Sequence, residues 1–262
     1  MSGAAVGELV REWRTRRRRS QMDLAIEVGV SPRHLSFVET GRSRPSPELV
    51  LALADRLVVP LRERNTLLLA AGYAPRFSQR SLDAPEMHNV RASVQRMLDA
   101  HDPYPGVVID RQWNVLLAND ASAALLHGLP PEVLGPPLNV YRLSLHPDGL
   151  SARTLNFDEW GSYLLQQLRR SIVLTGDADL VAILAEVTAY PNVARIVETP
   201  PTWEDPPILV PFRFDAGGEH LSMFTTLTTF GTPRDVTLDE LAIELFFPAD
   251  DHTDAVLRAA AP

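Results

Sequence analysis

The sequence predicts two domains of different class: an all-α N-terminal domain, then an α+β domain with an antiparallel sheet of about five strands. Three observations carry this. Residues 7–71 repeat a helical apolar period punctuated by capping residues, with no β-rich run. From residue 104 onward, runs of β-branched and aromatic residues alternate with helical segments. The charge divides at the same place. Residues 1–80 hold 14 arginines against 8 acids, about +6, and residues 81–262 hold 11 against 25, about −14, which gives the overall −8. A basic part on an acidic body is the electrostatic footprint of a nucleic-acid-binding domain joined to something that is not one.

Taken in order, residues 1–5 are expected to be disordered. Helix 1 spans residues 7–19, with Leu9, Val10 and Trp13 as its apolar stripe. Ser20 caps a second helix over 21–28, and Gly29 closes it in the left-handed conformation that suits glycine. Ser31 caps a third helix, with Pro32 at its first position, where a missing N–H costs nothing. Gly41 ends it. Two short helices joined by a tight glycine-containing turn form a helix-turn-helix. Leu35 and Val38 face inward; Arg33, Ser36, Phe37 and Thr40 fall on the other face at helical spacing. Ser46 and Pro47 open a fourth helix to 58, and residues 61–71 form a fifth, stopped by Gly72. The polar, Pro-punctuated stretch after Tyr73 places a linker at 76–85, between domains over 1–75 and 86–262.

The second domain begins with a helix over 86–100. Residues 106–119 read as strand, turn at 110–112, strand, followed by a helix over 120–129. A Pro-rich loop, a short helix near 139–148 and two longer helices over 154–171 and 177–188 come next. A second Pro-rich break spans 200–207. Residues 208–214 and 221–230 are strands around a hairpin turn at 215–219. Residues 239–248 make the last strand, before a polar, short-helical tail.

Residues 7–60 resemble the Xre/Cro-type helix-turn-helix family. The features are Gln21, Ala25, Gly29-Val30-Ser31, Glu39-Thr40-Gly41 and Arg42-Ser43-Arg44-Pro45-Ser46. The resemblance implies an ion pair between Arg14 and Glu39 that ties helix 1 to the recognition helix; otherwise Arg14 is solvated. Two strands ending in Asn119 before a helix resemble the opening of a PAS-like domain. Further matches widen the likeness to nearly the whole chain: residues 31–42, Leu69-Ala70-Ala71-Gly72-Tyr73-Ala74-Pro75, Pro103-Tyr104-Pro105, Asn139, His146-Pro147-Asp148-Gly149 and Phe247-Pro248-Ala249-Asp250. Together these resemble the MmyB-like transcription regulators, which join an Xre-type domain to a PAS-like ligand-binding domain. The resemblance, not the composition, implies a small hydrophobic, fatty-acid-like ligand.

For DNA, Gln21 at a helix N-terminus is suited to a phosphate. Arg33 is suited to a guanine edge and Phe37 to a thymine methyl, unless the ring packs inside. Ser36 shares their face, and Arg42 and Arg44 follow as phosphate contacts. One such domain reads few bases, so a homodimer on double-stranded half-sites is expected. Candidate ligand residues are Tyr104, Trp113, Leu164, Phe224 and Phe230 as apolar liners and His146 as a polar one. Arg142 would meet a ligand carboxylate or, alternatively, an acid of the protein itself.

With no cysteine, disulfides and thiolate chemistry are excluded. There is no P-loop, no GxGxxG and no nucleophile elbow, so an enzyme is not expected, nor a cofactor or metal. No apolar run approaches the roughly 18 residues of a membrane span and no signal-peptide pattern opens the chain, so a cytoplasmic protein is expected. Two other readings stay open. In one, the second domain only dimerises or docks a partner protein. In the other, it is a haem- or metal-dependent sensor, drawing on His101, His127 and His146 or on the Asp250-Asp251-His252 tail with Asp254.

Overall fold

Capping residues set the boundaries of the first helices. The computed structural model describes residues 3–199 and 208–260. Helix α1 is Gly3–Arg16, α2 is Gln21–Glu27, α3 is Pro32–Glu39, α4 is Pro47–Arg56 and α5 is Leu61–Ala70. The Ser20, Ser31 and Ser46 hydroxyls accept the amides of Asp23, His34 and Leu49 at 3.1, 3.1 and 3.2 Å, the orphan donors of each first turn. Gly29 and Gly41 take φ of 73° and 72° in the turns after α2 and α3. Helix α1 thus starts before Gly7 and ends at Arg16, short of Arg19, because Arg18 adopts a left-handed φ of 52°. The expectation of disorder at the start fails for residues 3–5, which are helical, while residues 1–2 lie outside the described residues.

These helices belong to a unit made of Met1–Arg80 together with Thr232–Asp239; the other unit is Ser81–Gly231 with Glu240–Pro262. Val6, Val10, Trp13, Leu24, Leu35, Leu53, Leu57 and Leu68 fill the first unit's core. Two joints in it use polar groups. Arg76 and Phe77, in the stretch whose composition suggests a linker, donate their amides to Asn65 Oδ1 at 2.9 and 3.0 Å. The segment Thr232–Asp239 supplies Asp239, whose carboxylate accepts the Leu61 amide at 2.9 Å and caps α5, where Pro60 has no side chain able to do so.

In the second unit, a 3-10 turn at Pro85–Met87 leads into α6, His88–Asp99. Strand β1 is Gly106–Ile109 and β2 is Val115–Ala118. The helices α7, Asp120–Leu125, α8, Pro131–Leu134, and α9, Val140–Leu145, follow. A 3-10 turn at Leu150–Arg153 precedes α10, Phe157–Thr175; α11 is Ala178–Thr188 and α12 is Pro191–Glu198. Then come β3, Phe212–Asp215, β4, His220–Thr229, β5, Ala242–Pro248, and α14, Asp251–Ala259; between β4 and β5 lies α13, Val236–Glu240, most of which belongs to the first unit. The five strands pair antiparallel in the order β2-β1-β5-β4-β3, the α+β class expected.

Alternation along the strands divides the core in two. Ile109, Met223, Phe212 and Phe214 face the larger layer, with Tyr141 of α9, Trp160, Leu164 and Leu168 of α10 and Val187 of α11. Val108 and Ile243 face the other way, onto Val94 and Leu98 of α6. The β1–β2 turn is held by Asp110, which accepts the Gln112 and Asn114 amides at 2.9 Å each. Arg111 in that turn pairs with Asp177, the N-cap of α11, and with Glu240 at 3.1 Å. Against the burial that would raise it, Arg111 holds the Asp177 carboxyl below its usual range.

Four elements differ from the sequence reading. Helix α12 fills the interval before the Pro-rich break at 200–207, a break that lies outside the described residues. The Pro-rich loop at 130–137 contains α8. Strand β3 begins at Phe212 rather than at 208, since Pro211 lacks the amide a ladder needs. Asp239 and Glu240 end α13 instead of opening the last strand.

Candidate nucleic-acid interface and ligand site

The recognition helix α3 is fixed to the fold by one buried carboxylate. Glu39 accepts Arg14 Nε at 2.7 Å, Arg14 Nη2 at 3.0 Å and Gln21 Nε2 at 2.7 Å. The remaining Arg14 nitrogen, Nη1, reaches the Arg19 carbonyl at 2.9 Å. The hydrogen bonds to Glu39 raise the Arg14 pKa further, so the guanidinium stays charged. It crosses from α1 to α3, where Gly7 lets the two backbones touch: a Cβ there would stand 2.3 Å from the Val38 carbonyl oxygen.

With α3 held this way, Arg33, Ser36 and Phe37 share its outer face. The Arg33 guanidinium lies 5.3 Å and that of Arg42 6.0 Å from the centre of the Phe37 ring. Phe37 is only partly buried, so one edge packs and the other is presented with two cations. Gln21 and Arg44 are placed differently. The Gln21 amide nitrogen is spent on Glu39. Arg44 caps the end of α5, donating to the carbonyls of Ala71 at 2.7 Å and Gly72 at 3.1 Å, with Tyr73 4.6 Å beneath it. Both are turned toward the fold by partners far away in sequence.

The proposed ligand residues are spread over the second unit rather than gathered. Trp113 is buried against Tyr141 at 4.9 Å and Leu164 lies in the same layer. Phe224 stacks on Phe247 at 5.5 Å, and Phe230 packs with the α6 cluster on the opposite face of the sheet. Arg142 meets an acid of the protein: it grips Glu186 with three contacts of 2.8 to 3.0 Å, which holds that carboxyl below its usual range. His146 packs edge-on against Tyr190 at 5.0 Å and accepts the Asp148 amide at 3.1 Å. The Tyr104 hydroxyl donates to Asp254, and this bond raises its pKa.

Tyr104 flanks a pocket that sequence spacing gives no sign of. About 470 Å³ lies open between α7, the β3–β4 hairpin and α14, walled by Ala124, Leu125, Phe214, Leu221 and Val256. Arg153 lines the same wall, and Asp102, Asp120 and Glu219 stand at exposed positions around it. Five separate stretches of chain contribute, so no local motif announces it. Its size and apolar walls are those of a small-molecule site.

The described residues contain no group of three or more His, Asp or Glu able to hold a metal ion. Asp250 caps α14 by accepting the Thr253 amide at 2.7 Å, and His252 faces Glu219 at 3.3 Å. His101 is bonded to the Phe246 carbonyl at 2.8 Å. No single described helix is long and apolar enough to cross a membrane.

No curated protein matches the sequence. Residues 5–67 match a helix-turn-helix domain, which holds Glu39 and the α3 face. Residues 90–260 match the MmyB-like transcription regulator ligand binding domain, over well more than half of the chain, and these residues include the sheet and the whole pocket. The chain belongs to the MmyB-like transcription regulators, with a helix-turn-helix for DNA and a domain that binds a small molecule.

Proposed function

We propose that this regulator binds its operator as a homodimer and that its PAS-like C-terminal domain senses a small hydrophobic, fatty-acid-like molecule. The observation that carries the ligand class is the 470 Å³ pocket with its alanine, leucine, valine and phenylalanine walls. Burying a chain of methylenes there is favourable by about 0.8 kcal/mol for each one removed from water. On the DNA side, Arg33, Phe37 and Arg42 form the reading surface, and Gln21 and Arg44 act by holding the motif in shape. Two copies would place two α3 helices in successive major grooves about 34 Å apart.

Native mass spectrometry of the purified protein tests the ligand class. A retained or readily loaded aliphatic acid of medium chain length is the expected result. Finding that the delipidated protein takes up no aliphatic compound would defeat it.

A further inference from the structure

The pocket has one cationic wall, Arg153, and that cation lies on no carboxylate among the described residues. Arg14, Arg111, Arg142 and Arg195 each lie on a carboxylate. Arg153 ends the 3-10 turn Leu150–Arg153 and meets only carbonyl oxygens: Nε donates to Asp215 at 3.0 Å, and Nη1 to Leu125 at 3.5 Å and His127 at 3.3 Å. Its Nη2 makes no hydrogen bond among the described residues. The guanidinium lies 4.4 Å over the ring of Phe214, which is fully buried. Carbonyl dipoles offset part of a full charge, and a guanidinium desolvated on one side by an aromatic ring retains demand for an anion. Carboxylate is the group whose geometry suits its remaining N–H donors.

The acids around the pocket sharpen the choice. Asp102, Asp120 and Glu219 are exposed, so they disfavour an anion resting among them and leave Arg153 as the one favourable place.

We infer that Arg153 is the head-group residue of this pocket: it receives the carboxylate of an aliphatic acid whose chain lies along Leu125, Leu221 and Val256. The inference rests on the reading of the pocket as the ligand site and adds the residue that tells an acid from a neutral analogue.

The test compares dodecanoate with 1-dodecanol on the delipidated full chain by isothermal titration calorimetry. The wild type is expected to bind dodecanoate at least about tenfold more tightly than the alcohol, the scale of one charge-assisted pair. Arg153→Met keeps the apolar stem and is expected to erase that preference, with dodecanol affinity unchanged within about threefold. Equal affinities for acid and alcohol in the wild type, or a folded Met variant that still prefers the acid, would overturn the inference and leave the pocket reading standing. A wild type that binds neither overturns both. Should the Met variant not fold, Arg153→Lys keeps the charge without the fork. A loss confined to dodecanoate supports the assignment, and no loss refutes it.

Discussion

Single residues divide here into those that read and those that hold. Arg33 and Arg44 look alike in the sequence, both arginines at the recognition helix, yet one lies exposed beside Phe37 on the α3 face and the other caps α5. Arg33→Ala is expected to weaken specific DNA binding by about 1–3 kcal/mol, the worth of a bidentate base contact. Arg44→Ala should instead lower the unfolding midpoint of the helical unit by about 1–2 kcal/mol of stability, for two lost capping bonds. Anisotropy titrations alongside urea unfolding separate the two. Glu244 is a residue whose role was invisible in the sequence. It sits opposite Val107 and Leu227 on the sheet face that carries the larger core, and burial pushes its carboxyl up to about 7, opposed only by a hydrogen bond with Thr225. A raised folded pKa means the folded state keeps the proton longer than the unfolded chain does. Stability therefore falls as pH rises from about 4.5 to about 7 and is level above that. The loss is at most about 3 kcal/mol. Glu244→Gln should flatten that slope in urea unfolding measured at pH 5 and pH 8; an unchanged slope would mean another group titrates.

At the scale of elements, the helical domain was legible because each helix carries its own start and stop signals: Ser20, Ser31 and Ser46 before, Gly29 and Gly41 after. What spacing did not reveal is how closely α1 and α3 cross. Gly7 permits it, and Gly7→Ala would drive a methyl into the Val38 and Glu39 carbonyls at 2.3 and 2.7 Å. The expected cost is about 2–3 kcal/mol, read as a lowered melting temperature together with weakened DNA binding, because α3 is displaced. In the second domain, the strands are legible where β-branched residues run long, as in β4. Helix α12 is hard to see in the sequence because its eight residues open on Pro191, follow α11 after two residues and end just before the Pro-rich break, with only Val193 and Ile196 buried to mark a face. Of the candidate site, the α3 face followed from helical spacing alone. The pocket did not, since Leu125, Arg153, Leu221 and Val256 meet only once the sheet and three other elements are assembled.

At the scale of the whole molecule, chain order and architecture part company at Thr232–Asp239. These residues connect β4 to β5 and fall inside the match to the ligand-binding domain, yet they are built into the helical unit. Asp235 is buried and accepts the Ser78 hydroxyl at 2.8 Å and Arg80 Nη1 at 3.3 Å; Val236 donates to the Ser78 carbonyl at 2.8 Å, and Thr237 to that of Arg80 at 2.6 Å. The segment that links β4 to β5 is thus the one that caps α5. Asp235→Ala should leave both ligand affinity and ligand-free operator affinity within about threefold of the wild type while reducing the effect of one on the other, a loss of coupling and not of binding. Measuring operator affinity with and without dodecanoate in that variant checks this; full retention of the response would exclude the connection as the route.

The central claim is that occupancy of the C-terminal pocket sets the affinity of the helix-turn-helix for DNA. Its most direct measurement is the operator dissociation constant of the delipidated full chain, on a site selected from random duplexes, at fixed salt, without and with saturating dodecanoate. A change of about fivefold or more, in either direction, is the predicted result, the lower end of ordinary allosteric coupling. An operator affinity that is the same in both conditions, with the ligand shown to be bound, would contradict the account.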